Sequence, residues 1–348
     1  VSAPHVVHVV ESLTPTATVR QLEAVRRFAS AGVTHSVVTR RRGLALFASW
    51  QAFREIAALR PDVVHLWDDW ALGEVGPLAT LGPSGPATVV SLRHPRAAGT
   101  WLAAWKERGV LKRARRIIVG DEAVLAARTK GALAASDPRV VVIGDGVERP
   151  SADDIARRRS DVRAELGLPA AARLIGYAGP LVPHANARDV IWLGMLLRVL
   201  HPEVRVVVSG EGPHTDDLRR FALLVEYGEQ THFLAPCADE ARIVGACDLY
   251  VNAARLDGPS SAIDAAQAAG VPVLCVDTPI RRGEIEADRT GFFVAEHDQA
   301  TLVRRAHKLL RDETLYRQMS AAARERSVRL PTSAASAAAY HELYRSTE

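Results

Sequence analysis

The chain has 348 residues, 48% of them hydrophobic and 24% charged, which excludes a disordered or fibrous polymer and suits two domains of ordinary size. No apolar run approaches the roughly 18 residues needed to span a bilayer, and the short apolar stretch at 6–10, interrupted by His8, is no signal peptide, so a cytoplasmic protein is expected. The net charge of +4 is uneven: residues 1–150 hold 20 Lys/Arg against 13 Asp/Glu, the remainder 24 against 27, so the two halves are expected to meet different partners.

Short β-branched runs predict strands at 5–10, 36–39, 63–66, 88–92, 117–119 and 140–143, then at 174–178, 204–209, 232–234, 249–252, 271–276 and 292–294. Most are continuous rather than alternating, as in strands buried on both faces of a parallel sheet. Helical spacing lies between them. Leu22, Val25 and Phe28 share one face of 19–30, and Leu302, Ala306, Leu309 and Leu310 one face of 302–310. Repeated strand–helix units predict doubly wound sheets with right-handed crossovers.

In 100–116, Trp101 and Trp105 stand one helical turn apart and six basic residues follow. Such a segment suits an anionic membrane or a lipid-linked acceptor. The reading favoured here is an amphipathic helix with its tryptophans in the core and a solvated basic face. No nucleic-acid motif accompanies the basic residues, so no nucleic-acid partner is expected. The turn Gly144–Asp145–Gly146 and the polar, Arg-rich stretch 150–163 mark a boundary, giving domains 1–148 and 149–331. A last helix is expected over 334–344, after Pro331. Cys237, Cys247 and Cys275 match no metal spacing and read as small apolar residues of a reducing compartment.

The second half carries an ordered series of phrases: ELGLPAAARLIGYAGPL at 165–181, VVVSGEGP at 206–213, CDLYVN at 247–252 and DGPSSAIDAAQAAGVPV at 257–273, with Thr290 and Gly291 following. The first half adds RPDVVHL at 60–66 and IGDGV at 143–147. The set resembles the family-4 retaining glycosyltransferases along essentially the whole chain. The resemblance implies an α/β protein of GT-B architecture, with two Rossmann-like doubly wound parallel-sheet domains facing an interdomain cleft. It implies a nucleotide-sugar donor on the second domain and an acceptor on the first, with neither metal nor cofactor. It also implies that the C-terminal segment 332–348 rejoins the first domain. Carbohydrate metabolism and a cytoplasmic place, or a peripheral one at the inner membrane face with a lipid-linked acceptor, follow as expectations.

A nucleotide sugar presents a diphosphate, which helix N-termini and small residues hold well through backbone N–H groups. Gly258, Pro259, Ser260 and Ser261 sit between a predicted strand and helix and have the right composition, although a plain strand-to-helix turn with a serine cap reads the same way. The family places two glutamates here, the first on the donor sugar and the second on the ribose hydroxyls. Asp264 stands at the second position, and Asp257 is the candidate for the first, with one residue fewer between them than usual. Gly212, in SGEGP, is a further donor-side candidate.

The family's two phosphate-clamping cations are missing: Pro180 and the pair Ala185–Asn186 occupy their places, leaving Arg188 and His184 as nearby substitutes. Loss of such contacts costs about 10²-fold in turnover. The loop after the first strand lacks its usual glycines, and Thr14 and Thr16 offer hydroxyls instead. His94 takes the place of a family histidine that touches the donor sugar near the reacting carbon. Asp68 and Asp69 are acceptor-side candidates. Two functions stand beside each other: a retaining hexosyl-type transferase, and a catalytically degenerate relative that binds a sugar, a nucleotide or a partner.

Overall fold

The computed structural model describes residues 3–13, 17–29, 32–41, 45–80, 85–93, 101–120, 124–125, 136–235, 240–254 and 260–347. The chain divides into a first unit, Val1–Gly146 with Pro331–Glu348, and a second unit, Val147–Leu330.

The first unit runs β1 (His5–Val10), α1 (Ala17–Arg27), β2 (Thr34–Thr39), α2 (Ala45–Leu59) and β3 (Val63–Leu66). A π-helical turn, Ala71–Val75, leads into α3 (Gly76–Ala79), followed by β4 (Ala87–Leu92), α4 (Trp101–Arg113), β5 (Arg116–Val119) and β6 (Val140–Val142). The six strands pair in the order β2-β1-β3-β4-β5-β6, all parallel. Both faces are covered, which is why the strands read as unbroken apolar runs. Val7, Val9, Val64 and Val90 face one layer with Ile56 of α2 and Val110 of α4. Val6, Val10 and Val63 face the other with Leu22 of α1.

The second unit runs α5 (Ala152–Glu165), β7 (Arg173–Ala178), a 3-10 turn at Pro183–Ala185, α6 (Ala187–Leu197), β8 (Val204–Ser209), α7 (Thr215–Leu224) and β9 (Thr231–Leu234). It continues through α8 (Glu240–Ala246), β10 (Leu249–Asn252), α9 (Ser261–Ala269), β11 (Val273–Val276), α10 (Pro279–Glu284), β12 (Gly291–Val294), α11 (Gln299–Arg311) and α12 (Glu313–Ser327). Its strands pair in the order β12-β11-β10-β7-β8-β9, all parallel. The expected pair of doubly wound parallel sheets is thus the observed architecture.

The chain then ends in α13 (Ser333–Arg345), capped by Thr332 and packed on α1 in the first unit. Gln21 of α1 donates to the Ser336 hydroxyl at 2.8 Å, and that hydroxyl donates to the Gly144 carbonyl at 2.8 Å. Tyr340 and Tyr344 are fully buried against the sheet. The parallel register sets His8 beside His65. The Trp67 indole N–H donates to His8 Nδ1 at 3.0 Å. Because indole only donates, His8 Nδ1 accepts, so His8 Nε2 carries the proton and gives it to His35 Nδ1 at 2.9 Å. His65 bridges Tyr344 Oη at 2.7 Å and Ser91 Oγ at 2.8 Å.

The stretch 150–163, polar and Arg-rich in sequence, is helical: Ser151 and Asp154 form a capping box, Ile155 and Val162 face the core, and the result is α5. One expectation is corrected. Trp101 and Trp105 are not core residues but 80% and 68% exposed, because only the last turn of α4, at Val110 and Leu111, reaches the apolar layer. Cys247 and Cys275 are buried free thiols that burial pushes well above the ordinary range, as small apolar residues behave, and Cys237 lies outside the described residues.

Candidate functional site

In the second unit the chain starts at β7, winds outward through β8 and β9, then returns to the other side of β7 at β10. The strand order therefore reverses between β7 and β10, and open α/β sheets bind ligands outside the carboxyl ends at such a reversal. Four segments converge there: the loops after β7, β8 and β10, and the start of α9.

The loops after β7 and β8 are closely joined. Gly179 N–H donates to Ser209 O at 3.0 Å, Leu181 N–H to Glu211 O at 2.9 Å and His214 N–H to Leu181 O at 3.0 Å. Gly210, at φ +147°, has its α-carbon against the Gly179 carbonyl, and Gly212 lies against the Leu181 carbonyl, so a side chain at either would strike backbone. The donor-side candidate Gly212 thus keeps two loops in contact. Asn186 then takes a left-handed conformation, φ 50° and ψ 30°, at the start of α6, and its side-chain amide donates to Ala253 O at 3.0 Å. That single amide spans the β7–β10 reversal.

The start of α9 is capped and charged from several sides. Ser260 Oγ accepts Ile263 N–H at 3.4 Å and the Asn252 amide at 3.3 Å. The Ser260 N–H donates to the Glu284 carboxylate, which is ion-paired with the buried guanidinium of Arg281. Gln267, fully buried in α9, donates to Glu284 O at 2.8 Å. Ser261 Oγ reaches the Glu240 carboxylate at 3.4 Å. Asp264 lies half-buried in the first turn. A helix N-terminus favours anions, and Glu284 shows that this one already attracts a carboxylate.

The Pro180 carbonyl accepts the Tyr177 hydroxyl at 3.0 Å, and Ala185 is fully buried, so neither place supplies positive charge. Arg188 is exposed, with its guanidinium 3.9 Å from the Phe221 ring centroid. His184 is exposed. Arg281, held beside the start of α9 through Glu284, is a cation that no sequence motif marks. Sequence spacing does not mark Glu284, Glu240 or Asn186 as site residues either, since each arrives from a different segment. Asp257, Gly258 and Pro259 lie outside the described residues.

In the first unit the order reverses between β1 and β3, and Asp68 sits at that point. Its carboxylate accepts Glu11 N–H at 2.6 Å and Ala71 N–H at 2.8 Å, tying the loop after β1 to the helical turn after β3. Burial pushes this carboxyl up to about 6 against the pull of those two N–H groups. Asp69 is exposed. Thr14, Thr16 and His94 lie outside the described residues, whereas Arg93, just before His94, is buried and ion-paired with Asp145. Among the described residues no group of three His, Cys, Asp or Glu has metal-holding geometry.

Residues 158–326 match the family Glycosyl transferases group 1. Solved structures share the fold at low identity. Anabaena Alr3699/HepE, solved with UDP-glucose, is 16% identical with a TM-score of 0.80, over 99% of this chain and 100% of that one. Sucrose-phosphate synthase from Thermosynechococcus elongatus is 16% identical with a TM-score of 0.78, over 99% and 98%. WaaG, a glycosyltransferase involved in lipopolysaccharide biosynthesis, is 14% identical with a TM-score of 0.75, over 97% and 99%. These likenesses establish the GT-B type of α/β fold. No curated protein is significantly similar to the chain in sequence.

Proposed function

We propose that this chain is a retaining glycosyltransferase that moves a hexose-type group from a nucleotide sugar to an acceptor hydroxyl. The observation that carries the reading is the Ser260-capped start of α9 at the β7–β10 reversal, inside the stretch that matches the family. A diphosphate seated there meets backbone N–H groups and a favourable helix dipole. Arg281 offsets the negative charge that Glu284 brings to the same place. Asp264 faces the ribose hydroxyls as a two-oxygen acceptor. Gly258, Pro259 and the Gly212 loop shape the phosphate cradle, Asp257 and His94 orient the donor sugar, and Thr14, Thr16, Asp68 and Asp69 serve the acceptor. The acceptor oxygen attacks the anomeric carbon on the face from which the diphosphate leaves. The anomeric C–O bond to phosphate breaks, and the hydroxyl proton passes to the departing phosphate oxygen. HepE, which shares the fold, is solved with UDP-glucose, so UDP-sugars head the donor list.

Isothermal titration with UDP-, GDP- and ADP-sugars tests this. Saturable binding of one donor is expected, weakened about tenfold or more by Asp264→Ala, the loss of a charge-assisted hydrogen bond. An absence of binding at millimolar donor sinks the reading. The uncharged residues at 180 and 185, with Arg188 stacked on Phe221, favour a second reading, a donor-binding protein without turnover. Binding with neither transfer nor donor hydrolysis selects it.

A further inference from the structure

In the first unit, α2 and α4 both begin with exposed aromatic residues and continue into cations. Phe47 and Trp50 of α2 are 53% and 48% exposed, their rings stacked 6.3 Å apart, with Arg54 over Trp50 at 4.9 Å. On α4, exposed Trp101 and Trp105 share a stripe with exposed Arg108 and Lys112, since positions 101, 105, 108 and 112 follow the helical repeat. Both helices pack in one apolar layer on the same face of the sheet, through Ala52 and Ile56 and through Val110 and Leu111. Each also starts beyond a strand's carboxyl end, α2 after β2 and α4 after β4. The four aromatic side chains therefore lie toward one edge of the sheet, with cations set back from it on both helices.

Large aromatic side chains left in water on one edge forgo the burial a core position gives, and such patches mark contact surfaces. The order of the residues identifies the contact. Tryptophan has an apolar body and a polar N–H and concentrates at lipid headgroup level, while cations about one or two helical turns behind match the phosphate layer. The charge of residues 1–150, 20 Lys/Arg against 13 Asp/Glu, has the matching sign. We infer that this edge docks the first unit on an anionic phospholipid bilayer, with Phe47, Trp50, Trp101 and Trp105 at headgroup depth and Arg54, Arg108 and Lys112 on lipid phosphates. Among the described residues no helix is long and apolar enough to cross a membrane, so the contact is peripheral.

Cosedimentation of the full chain with vesicles tests this without reference to transfer activity. Binding is expected to phosphatidylglycerol–phosphatidylcholine vesicles, to fall with added salt, and to be absent from pure phosphatidylcholine. R108E/K112E is expected to weaken it about 25-fold or more, from about fivefold per cation. W101S/W105S is expected to weaken it by at least about tenfold. Unchanged circular dichroism is expected for both variants, because all four side chains are exposed. F47S/W50S provides an independent second variant on α2. Three results overturn the inference: no binding to anionic vesicles, binding unaltered in all three variants, or a self-associated chain that W101S/W105S makes monomeric while vesicles bind neither form.

Discussion

The two units have sheets of the same size and sense, but they bury different polar groups. The first seats its C-terminal helix on uncharged rings: His8, His35 and His65 on the strands meet His341, Tyr340 and Tyr344 of α13. The first buries one ion pair besides, Arg93 with Asp145, whereas the second buries a network of ions. Asp248 Oδ2 accepts Leu174 N–H at 2.8 Å and Arg163 at 3.0 Å, and Oδ1 takes Arg159 at 3.3 Å and Arg173 at 3.5 Å. Arg281 and Glu284 repeat the pattern beneath the start of α9. Neutral rings hold a helix only while they stay neutral, whereas an ion network holds only while each partner remains. The two units should therefore fail under different insults.

Acid gives the largest contrast. Burial holds His8 well below the ordinary imidazole value of 6.5, aided by His65, His35, Arg26 and His341 around it. Burial, then Arg93, does the same to His65. Burial, with His341, Arg26 and His5, lowers His35 to about 4, and burial lowers His341 beside Arg345. The unfolded chain takes up these protons near pH 6.5 while the folded unit does not, so stability falls as pH drops below that value. Each fully buried imidazole, His8 and His65, removes up to about 1.4 kcal/mol per pH unit in that window. Asp68, raised to about 6, is protonated first in the folded state and offsets part of the loss. In the second unit, burial lowers the half-buried His232. Scanning calorimetry from about pH 7 to about pH 5 should show the first unit's transition moving down ahead of the second's. Transitions that shift in parallel break the comparison.

Removing one ion is next in size. Asp248→Ala leaves three guanidinium groups facing no carboxylate and orphans Leu174 N–H. A fully enclosed pair costs about 3–5 kcal/mol to break. Because Arg159 and Arg173 are 32% and 48% exposed, about 2–3 kcal/mol is the expectation here. Urea unfolding should show the second unit destabilised and the first unchanged. A loss below that of a surface substitution would mean that the network contributes nothing.

These contrasts also separate what the sequence reveals from what only folding assembles. Strands buried on both faces appear as apolar runs, so the sheets were legible. Helix α5 was not, because its apolar face is only Ile155 and Val162, and the rest of it is polar and Arg-rich. At the candidate site, Ser260, Ser261 and Asp264 stand close together in sequence, inside one family-like phrase. Glu284 and Glu240 come from 24 and 21 residues away, and Asn186 bonds a carbonyl 67 residues on. No local spacing announces such contacts. The histidine cluster is the extreme case: register sets His8 beside His65, and α13 adds a fourth imidazole more than 250 residues later.

The smallest effect separates two tyrosines on one helix. Tyr344 Oη is 2.7 Å from His65 Nδ1, whose other nitrogen meets Ser91. Tyr344→Phe leaves a ring nitrogen buried without that partner, at about 1–2 kcal/mol. Tyr340 is buried equally, and its hydroxyl lies near Ser91 and Arg93 but makes no hydrogen bond of good geometry. Tyr340→Phe removes a poorly paired hydroxyl and keeps the ring, so its cost should be near zero. Thermal unfolding of the two variants at neutral pH decides whether α13 is held by the Tyr344–His65 bond or by aromatic packing alone. Equal losses would favour packing, and would weaken the claim that a hydrogen-bonded ring network distinguishes the first unit from the second.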